Sequence, residues 1–274
     1  MISFSIVLCT YAKDNALHLA QALESLKVQT VLPNELIIVK DGPLPDSLEK
    51  VLAGFSYPCK MTFVELPNNV TLGPARDVGL RACSHEWVAL MDSDDVCLPS
   101  RFEKQVALIA AAPSLDIVGG QIVEFDDIPG NEVSLRSVPA GHAEIMKFSA
   151  KRNPFNAMTV MFRRDLAIAA GGFGYFPGFE DYDLWARMIA RGAKCANSPD
   201  VLVHARIGNG MYERRKGFVY IRSEVRMQKQ LRNLGMTSLP QYISNIVQRV
   251  PIRLLPTKAL AMIYKLFART DRRY

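Results

Sequence analysis

Short apolar runs alternate with helix-like stretches through the first part of the chain. The apolar runs lie at residues 4–9, 35–39, 61–65 and 87–91. Between the first two, Leu19, Leu23 and Leu26 recur at the spacing of an amphipathic helix. Further helices are expected around residues 47–52 and 74–82. This strand–helix alternation predicts a parallel β-sheet covered by helices on both faces.

The later part of the chain continues the pattern less regularly. We expect strands at residues 117–125, 159–163 and 201–205, and helices from Pro99 to about Ala111 and over 181–191. Beyond Phe218 the pattern is helical. The simplest partition is a Rossmann-like α/β domain over residues 1–215, followed by a helical C-terminal extension over residues 216–274, without internal repeats.

Composition narrows the class of protein. Of the 274 residues, 49% are hydrophobic and 22% are charged, as in a globular protein with a sizeable core. The five cysteines are widely spaced and odd in number, which favours a reducing compartment over a disulfide framework or a zinc site. The chain enters a strand at once and has no apolar run of about 18 residues, so neither a signal peptide nor a membrane-spanning helix is expected.

The net charge of +6 resides in the C-terminal tail, because residues 247–274 hold seven basic residues and one acid. On a helix starting near Thr257, the basic side chains face one way and the apolar ones the other. The basic face has Lys258, Lys265, Arg269 and Arg272, and the apolar face has Leu260, Ile263 and Phe267. This arrangement predicts a helix lying on an anionic membrane surface; the alternative is a helix docked on the protein body. A nucleic-acid partner is not expected, since interleaved aromatics and known motifs are missing.

A dense acidic cluster follows the fourth apolar run. Asp92, Asp94 and Asp95 surround Ser93, and such closely spaced carboxylates repel each other unless positive charge lies among them. Carboxylate oxygens suit Mg²⁺ or Mn²⁺. On its own, the cluster is equally consistent with a solvated turn that caps the next helix.

Other polar residues end the neighbouring strands. Thr10 and Tyr11 follow the first strand, and Asp41 follows the second. Ligands of parallel α/β sheets bind beyond the carboxyl ends of the strands, so these residues can share one crevice with the acidic cluster. Taken alone, Asp41 is more typical of an Asp-Gly turn.

Several motifs in a fixed order give the chain a family resemblance. They are Thr10-Tyr11, Lys40-Asp41-Gly42, Gly73-Pro74-Ala75-Arg76-Asp77, Asp92-Ser93-Asp94-Asp95, Gly171-Gly172-Phe173 and Glu180-Asp181-Tyr182-Asp183-Leu184-Trp185. Over about residues 3–210 the chain resembles the family-2 glycosyltransferases of GT-A fold, in particular the bacterial exopolysaccharide and capsule type to which the amylovoran biosynthesis enzymes belong.

The resemblance implies a nucleotide-sugar site at the first strand ends. Thr10 and Tyr11 would pack on the base, and Asp41 would accept hydrogen bonds from uracil or ribose. Ser93 would also lie against the nucleotide sugar. Arg76 would neutralise the crevice, although it could instead be a helix-surface arginine paired with a nearby acid.

The same resemblance implies a metal site and a base. Asp94 would be the main ligand of Mn²⁺ or Mg²⁺, with Asp92 shared between ribose and metal. Asp95 would hold Arg76 or cap the next helix. Asp181 would be the catalytic base of an inverting transfer, because one carboxylate must take the proton of the acceptor hydroxyl. The competing explanation for acids here is the favourable field of a helix N-terminus.

Further residues enter as weaker expectations. Glu180 and Trp185 would contact the acceptor, although packing against the sheet also explains Trp185. His204 could complete the metal shell, but a lone histidine at a strand end is more often structural. Arg214 and Arg215, in a glycine-containing loop, could close over the diphosphate.

The sequence departs from the family pattern at Lys40, Asp77 and Ala157, which bears on the base contacts and on the acceptor site. The whole pattern predicts an inverting, metal-dependent hexosyltransferase. It would move a hexose from a UDP-sugar to a lipid-linked oligosaccharide in exopolysaccharide, capsule or O-antigen synthesis, at the cytoplasmic face of the membrane. The alternatives are another nucleotide-sugar enzyme and a non-catalytic scaffold of the same fold. The oligomeric state stays open.

Overall fold

The computed structural model describes residues 2–126, 131–207 and 217–251. The strands are β1 (Phe4–Tyr11), β2 (Glu35–Asp41), β3 (Lys60–Glu65), β4 (Trp87–Asp92), β5 (Val96–Cys97), β6 (Ile117–Phe125), β7 (Glu132–Arg136), β8 (Met161–Arg163) and β9 (Cys195–Arg206). The helices are α1 (Ala16–Lys27), α2 (Asp46–Gly54), α3 (Leu72–Ala82), α4 (Arg101–Ala111), α5 (His142–Ser149), α6 (Arg164–Ala169), α7 (Glu180–Ala190), α8 (Gly217–Asn233) and α9 (Leu239–Arg249), with one 3₁₀ turn at Ala157–Thr159.

These strands form one mostly parallel sheet in the order β3-β2-β1-β4-β8-β6-β9-β5, with β7 added beside β6. Strands β1 to β4 are mutually parallel, and β6 is parallel to β9. Strand β8 is antiparallel to both β4 and β6 and so joins the two parallel groups. The predicted α/β architecture, a mostly parallel Rossmann-like sheet flanked by helices, is confirmed.

Alternation along the central strands builds a core on each face of the sheet. Phe4, Ile6 and Leu8 of β1 pack with α1, α2 and α4, whereas Val7 packs on the other face with α3 and α7. Successive strand side chains point to opposite faces, so a continuous apolar run is what a strand buried on both sides requires.

The strand register aligns the chemistry-bearing ends. Tyr11 is the partner of Asp41, and Cys9 is the partner of Asp92. The ends of β1, β2 and β4 therefore lie side by side at one edge of the sheet. This edge is where the polar residues of the first two strands were expected to meet the acidic cluster.

The second half differs from the pattern in several short elements. Strands β5 and β7 and helices α5 and α6 were not predicted; β5, β7 and α6 have only two to six residues, too few to show a period. Strand β9 begins at Cys195, six residues before the expected start. Its early part carries Asn197 and Ser198, which are buried through hydrogen bonds; Asn197 donates to the carbonyls of Pro139 and Pro154 at 2.6 and 3.1 Å.

The described part of the C-terminal extension packs on the α/β layers through aromatic contacts. Tyr220, Met227 and Leu231 of α8 form a buried cluster with Phe179 and Tyr182. The division at residues 215 and 216 stays a prediction, and the amphipathic tail from Thr257 lies outside the described residues. Within the described ranges, no helix combines the length and the apolar character needed to cross a bilayer.

Candidate active site

Asp14 joins the ends of β1 and β4. Its Oδ2 accepts hydrogen bonds from Oγ1 of Thr10 at 2.9 Å, from the backbone N–H of Tyr11 at 3.2 Å and from Oγ of Ser93 at 2.7 Å. Burial raises the pKa of Asp14, while these hydrogen bonds oppose the rise. One carboxylate thus fixes Thr10, Tyr11 and Ser93 relative to each other.

Asp41 is buried beneath the loop that leads into α3. Its Oδ1 accepts the backbone N–H of Val70 at 2.7 Å, and its Oδ2 accepts the amide of Asn69 at 2.9 Å. A carboxylate has about four lone-pair sites, so both oxygens can still accept further bonds from a ligand. Thr71, which follows, has φ +75°, a region that residues other than glycine adopt only when the surroundings enforce it.

Arg76 is a buried cation at this edge of the sheet. Its Nη2 lies 2.5 Å from Oδ1 of Asp92, and its side chain is only 5% exposed. Burial alone would lower the pKa of Arg76, but the charges of Asp92, Glu180 and Asp181 outweigh burial and raise it. The alternative of a helix-surface arginine is therefore wrong, and one guanidinium acts on acids from two distant parts of the sequence.

Asp94 and Asp95 are tied to the end of β9 rather than to Arg76. Oδ1 of Asp95 accepts the backbone N–H of Arg206 at 2.8 Å, and Nε of Arg206 donates to the carbonyl of Asp94 at 3.1 Å. Burial and the charges of Asp94 and Asp92 raise the pKa of Asp95. The expectation that Asp95 holds Arg76 is corrected, because Asp92 does so.

The two acids that open α7 differ in their surroundings. Nδ2 of Asn153 donates to Oδ2 of Asp181 at 2.7 Å, and the N–H of Tyr182 donates to Oδ1 at 2.8 Å. Burial and the charge of Asp181 raise the pKa of Glu180 to about 7, although Arg76 opposes the rise. The structure thus places a hydrogen-bonded carboxyl group beside one whose charged form is disfavoured.

Asp183, the third acid of this helix, is structural. It is buried and pairs with Arg187 at 2.8 Å, and Nη2 of Arg187 donates to the carbonyl of Gly172 at 2.7 Å. Asp77 accepts the N–H of Phe173 at 3.0 Å. Gly172 has φ +64°, and an added Cβ would lie 1.8 Å from Oδ1 of Asp77, so only glycine fits. The Gly171-Gly172-Phe173 motif is thereby held against α3 and α7.

The expected contact of Trp185 with a sugar acceptor is wrong. The side chain has no exposed surface, and its ring packs within 6.1 Å of the rings of Phe155, Phe162 and Phe173. Core packing, the alternative explanation, accounts for this residue.

His204 does not join the acidic cluster as a third metal ligand. Its Nε2 faces Glu132 at 3.8 Å, and its ring lies 6.4 Å from that of Phe125. Across residues 2–126, 131–207 and 217–251, no three His, Cys, Asp or Glu side chains are grouped as metal ligands. Asp92 and Asp94 fit a cation that takes one or two protein carboxylates and completes its shell from substrate phosphates.

The ammonium of Lys40, where the sequence departs from the family pattern, pairs with Glu49 at 2.8 Å and Glu65 at 2.9 Å. Arg214 and Arg215 lie outside the described residues, so their contact with a diphosphate stays a prediction.

The sequence pattern missed Asp14 as a site residue. The signal available was local, because an aspartate four residues after a strand-end threonine can accept from that threonine and from the intervening backbone. Its bond to Ser93 spans 79 positions and needs the folded sheet. Asn153 was not expected at the site either, and its bond to Asp181 likewise depends on tertiary structure.

Comparison with known proteins identifies the class. The model of glycosyl transferase family 2 matches residues 5–172, and the chain therefore belongs to that family. A glycosyltransferase of Haemophilus influenzae is 41% identical over 98% of this chain and 100% of its own length. Amylovoran biosynthesis glycosyltransferase AmsE of Erwinia amylovora is 37% identical over 96% and 98%. An Escherichia coli UDP-Gal:alpha-D-GlcNAc-diphosphoundecaprenol beta-1,3-galactosyltransferase is 34% identical over 96% and 95%.

Solved structures share the fold. S. aureus TarS 1–349 in complex with UDP-GlcNAc superposes with a TM-score of 0.67 at 17% identity, over 98% of this chain and 74% of the other. The mannosyltransferase PcManGT from Pyrobaculum calidifontis, in complex with GDP-Man and Mn²⁺, gives 0.63 at 16% identity over 97% and 80%. At these identities the likeness concerns the fold alone.

Proposed function

We propose that the protein is an inverting glycosyltransferase that moves a hexose from a UDP-sugar to a lipid-linked oligosaccharide during bacterial polysaccharide synthesis. The observation that carries the proposal is the position of Arg76, which pairs with Asp92 at the strand ends and acts on Glu180 and Asp181. On this proposal, the donor-side acid and the acceptor-side acids share one guanidinium. The names of the amylovoran and galactosyltransferase relatives support the process and the kind of substrate.

The donor end would use the groups that Asp14 and Asp41 organise. Thr10 and Tyr11 would line the base, Asp41 would accept from uracil or ribose, and Ser93 would face the sugar nucleotide. Asp92 and Asp94 would hold Mn²⁺ or Mg²⁺. When bound, such a cation offsets the charge that develops on a departing diphosphate.

The acceptor end would use Asp181. The acceptor oxygen forms a bond to the anomeric carbon while the bond from that carbon to the diphosphate oxygen breaks, and the acceptor proton passes to the Asp181 carboxylate. The hydrogen bond from Asn153 orients this carboxylate. Glu180 would contact the acceptor beside it. Arg214 and Arg215 would bind the diphosphate. The basic tail beyond Thr257 would bind the membrane surface at the cytoplasmic face.

Replacing Asp181 tests the transfer. Asp181→Asn keeps the shape and removes the proton acceptor, so transfer should fall by about 10²- to 10⁴-fold, the usual contribution of general acid–base catalysis. The assay follows UDP release in the presence of a polyprenyl-diphosphate sugar and Mn²⁺. Asp77→Asn is the matched control, because an amide oxygen can still accept the N–H of Phe173. Transfer near the wild-type rate in Asp181→Asn, with the fold intact, would show that Asp181 is not the base.

A second measurement tests the donor and the metal. UDP- and GDP-sugars are added with Mn²⁺ or with EDTA, and the unfolding temperature is recorded, since a ligand that binds only the folded state raises it. We expect a rise for a UDP-sugar with Mn²⁺, lost with EDTA and reduced in Asp94→Asn. A rise that survives EDTA would contradict the metal assignment, and the absence of a rise for every sugar nucleotide would contradict the donor class.

A further inference from the structure

Helix α8 has one buried face and one exposed face. Tyr220, Met227 and Leu231 are buried against the protein body, together with the acid of this helix, Glu224. At 3.6 residues per turn, the exposed residues fall within an arc of roughly 140°. We name as the α8 outer face the two most exposed apolar residues and the four basic residues of this arc: Phe218, Val219, Arg222, Arg226, Lys229 and Arg232.

The chemistry of this face is unusual for a surface in contact with water. Phe218 is 85% exposed and Val219 is 71% exposed. The basic residues recur every three or four positions, and no acid occupies an exposed position of the helix. Large exposed apolar side chains beside a one-signed charge indicate a surface that meets a partner.

We propose that the α8 outer face lies on an anionic lipid bilayer. Phe218 and Val219 would enter the boundary between head groups and acyl chains, and Arg222 and Lys229 would lie among the lipid phosphates. Arg226 and Arg232 donate to the carbonyls of Tyr175 and Thr237, so they would add positive charge to the face from positions held by the protein. Charge complementarity favours this occupant over a second copy of the chain, because a two-fold pairing would bring two positive faces together.

The position of the face in the fold fits a lipid-borne substrate. Nη1 of Arg226 donates to the carbonyl of Tyr175 at 3.1 Å, and its guanidinium lies 4.2 Å from the ring centre of Phe176. An added Cβ at Gly178 would approach Tyr220 to 2.7 Å. Helix α8 thus packs directly on the stretch that leads into Glu180 and Asp181, and this part of the proposal rests on the proposed function.

A fluorescent probe tests insertion in the full chain. Both native tryptophans, Trp87 and Trp185, are buried, so a third one reports on its own site. Phe218→Trp should shift its emission to shorter wavelength with vesicles of phosphatidylcholine and phosphatidylglycerol, and not with phosphatidylcholine alone. Phe63→Trp, at an exposed aromatic of β3, is the matched control and should not shift.

Charge reversal tests the electrostatic part. Arg222→Glu/Lys229→Glu should weaken co-sedimentation with the anionic vesicles at least about tenfold, since each basic residue near such a surface contributes noticeably. Lys50→Glu/Lys194→Glu makes the same change of net charge at exposed positions on α2 and before β9 and should have a much smaller effect. The C-terminal tail is present in every variant, so its contribution is shared.

The outcomes separate this proposal from the proposed function. An equal loss of vesicle binding in both double variants, or no emission shift for Phe218→Trp, would overturn the membrane proposal. It would also be overturned if Arg222→Glu/Lys229→Glu abolished a concentration-dependent dimer or a nucleic-acid complex while vesicle binding persisted. The UDP-sugar thermal shift should be unchanged in that variant. Vesicle binding without any thermal shift from a nucleotide sugar would instead support the membrane-binding surface and contradict the proposed glycosyl transfer.

Discussion

Two clusters, each with three acids within four consecutive residues, are built in different ways. In the β4 cluster (Asp92, Asp94, Asp95), the buried acid accepts a backbone N–H from Arg206. In the α7 cluster (Glu180, Asp181, Asp183), the buried acid pairs with the guanidinium of Arg187. Each cluster thus commits one acid to structure and leaves two beside the crevice. The partner of each carboxylate, rather than its place in a motif, decides which acid remains for chemistry.

Arg76 links the two clusters, and removing it should have the largest effect on stability. Arg76→Met leaves Asp92 without its partner. It also removes the positive charge that offsets the repulsion between the acids of the two clusters. We expect a loss of about 3 kcal/mol in the free energy of unfolding, as for a buried pair that loses one member. Urea unfolding measures it. Arg81→Met, which removes the more exposed arginine paired with Asp77, should cost less than about 1 kcal/mol. Similar losses in the two variants would mean that the clusters do not depend on Arg76.

The next effect separates the structural acid of α7 from its neighbours. Asp183→Asn weakens the bond to Arg187, which also holds the carbonyl of Gly172, so stability should fall by about 2 kcal/mol. Transfer per folded molecule should stay within about tenfold of the wild type, in contrast to Asp181→Asn. Loss of transfer with full stability would reverse the roles of the two acids.

A smaller effect should depend on pH. The pKa of Glu180 is raised from 4.5 to about 7 in the folded protein, which therefore holds a proton that the unfolded chain has released. The stability that this proton contributes is present at low pH and is lost as the pH rises from the unfolded-state pKa of 4.5 through the folded-state pKa of about 7. Glu180→Gln stays neutral, so its stability relative to the wild type should increase from about pH 5 to about pH 8.

Urea unfolding at a series of pH values measures this difference. Glu144→Gln, at an exposed glutamate in the first turn of α5, is the control for the change from glutamate to glutamine itself. A flat difference for Glu180→Gln would mean that Asp181 and burial do not disfavour the ionised form of Glu180.

The smallest effect is expected at Asp95. Asp95→Asn can still accept the N–H of Arg206 through its amide oxygen, and it removes repulsion from Asp92 and Asp94. The free energy of unfolding should change by less than about 1 kcal/mol. A loss as large as that of Asp183→Asn would show that the charge of Asp95 is needed, and that the two buried acids are equivalent after all.

The first half of the fold was predictable because three of its four strands, β1, β2 and β4, are buried on both faces. Their runs are continuous and apolar, and the helices between the strands have clear periods. Strands β5 and β7 and helix α6 have two to six residues, too few to show a period. The polar start of β9 could not be recognised, because Asn197 donates to distant carbonyls and the carbonyl of Ser198 accepts the side-chain amide of the distant Gln121.

The candidate site was likewise predictable only in part from the sequence. The motifs located Asp41, Arg76 and Asp92, which the structure brings to one edge of the sheet through strand order. The motifs did not show that Arg76 pairs with Asp92 instead of Asp95. They also did not show that Asn153 donates to Asp181 or that Trp185 is buried. Those choices depend on side-chain partners from other elements, which spacing along the chain does not encode.

The bond between Asp14 and Ser93 has a consequence for protein engineering. A donor pocket is often altered by exchanging one loop between relatives. Here the turn after β1 and the turn after β4 share a single carboxylate, so an exchange of either turn alone would separate Thr10 and Ser93 from their common acceptor. Chimeras that exchange this edge of the sheet should therefore transplant residues 10–14 and 92–95 together, as one interchangeable unit.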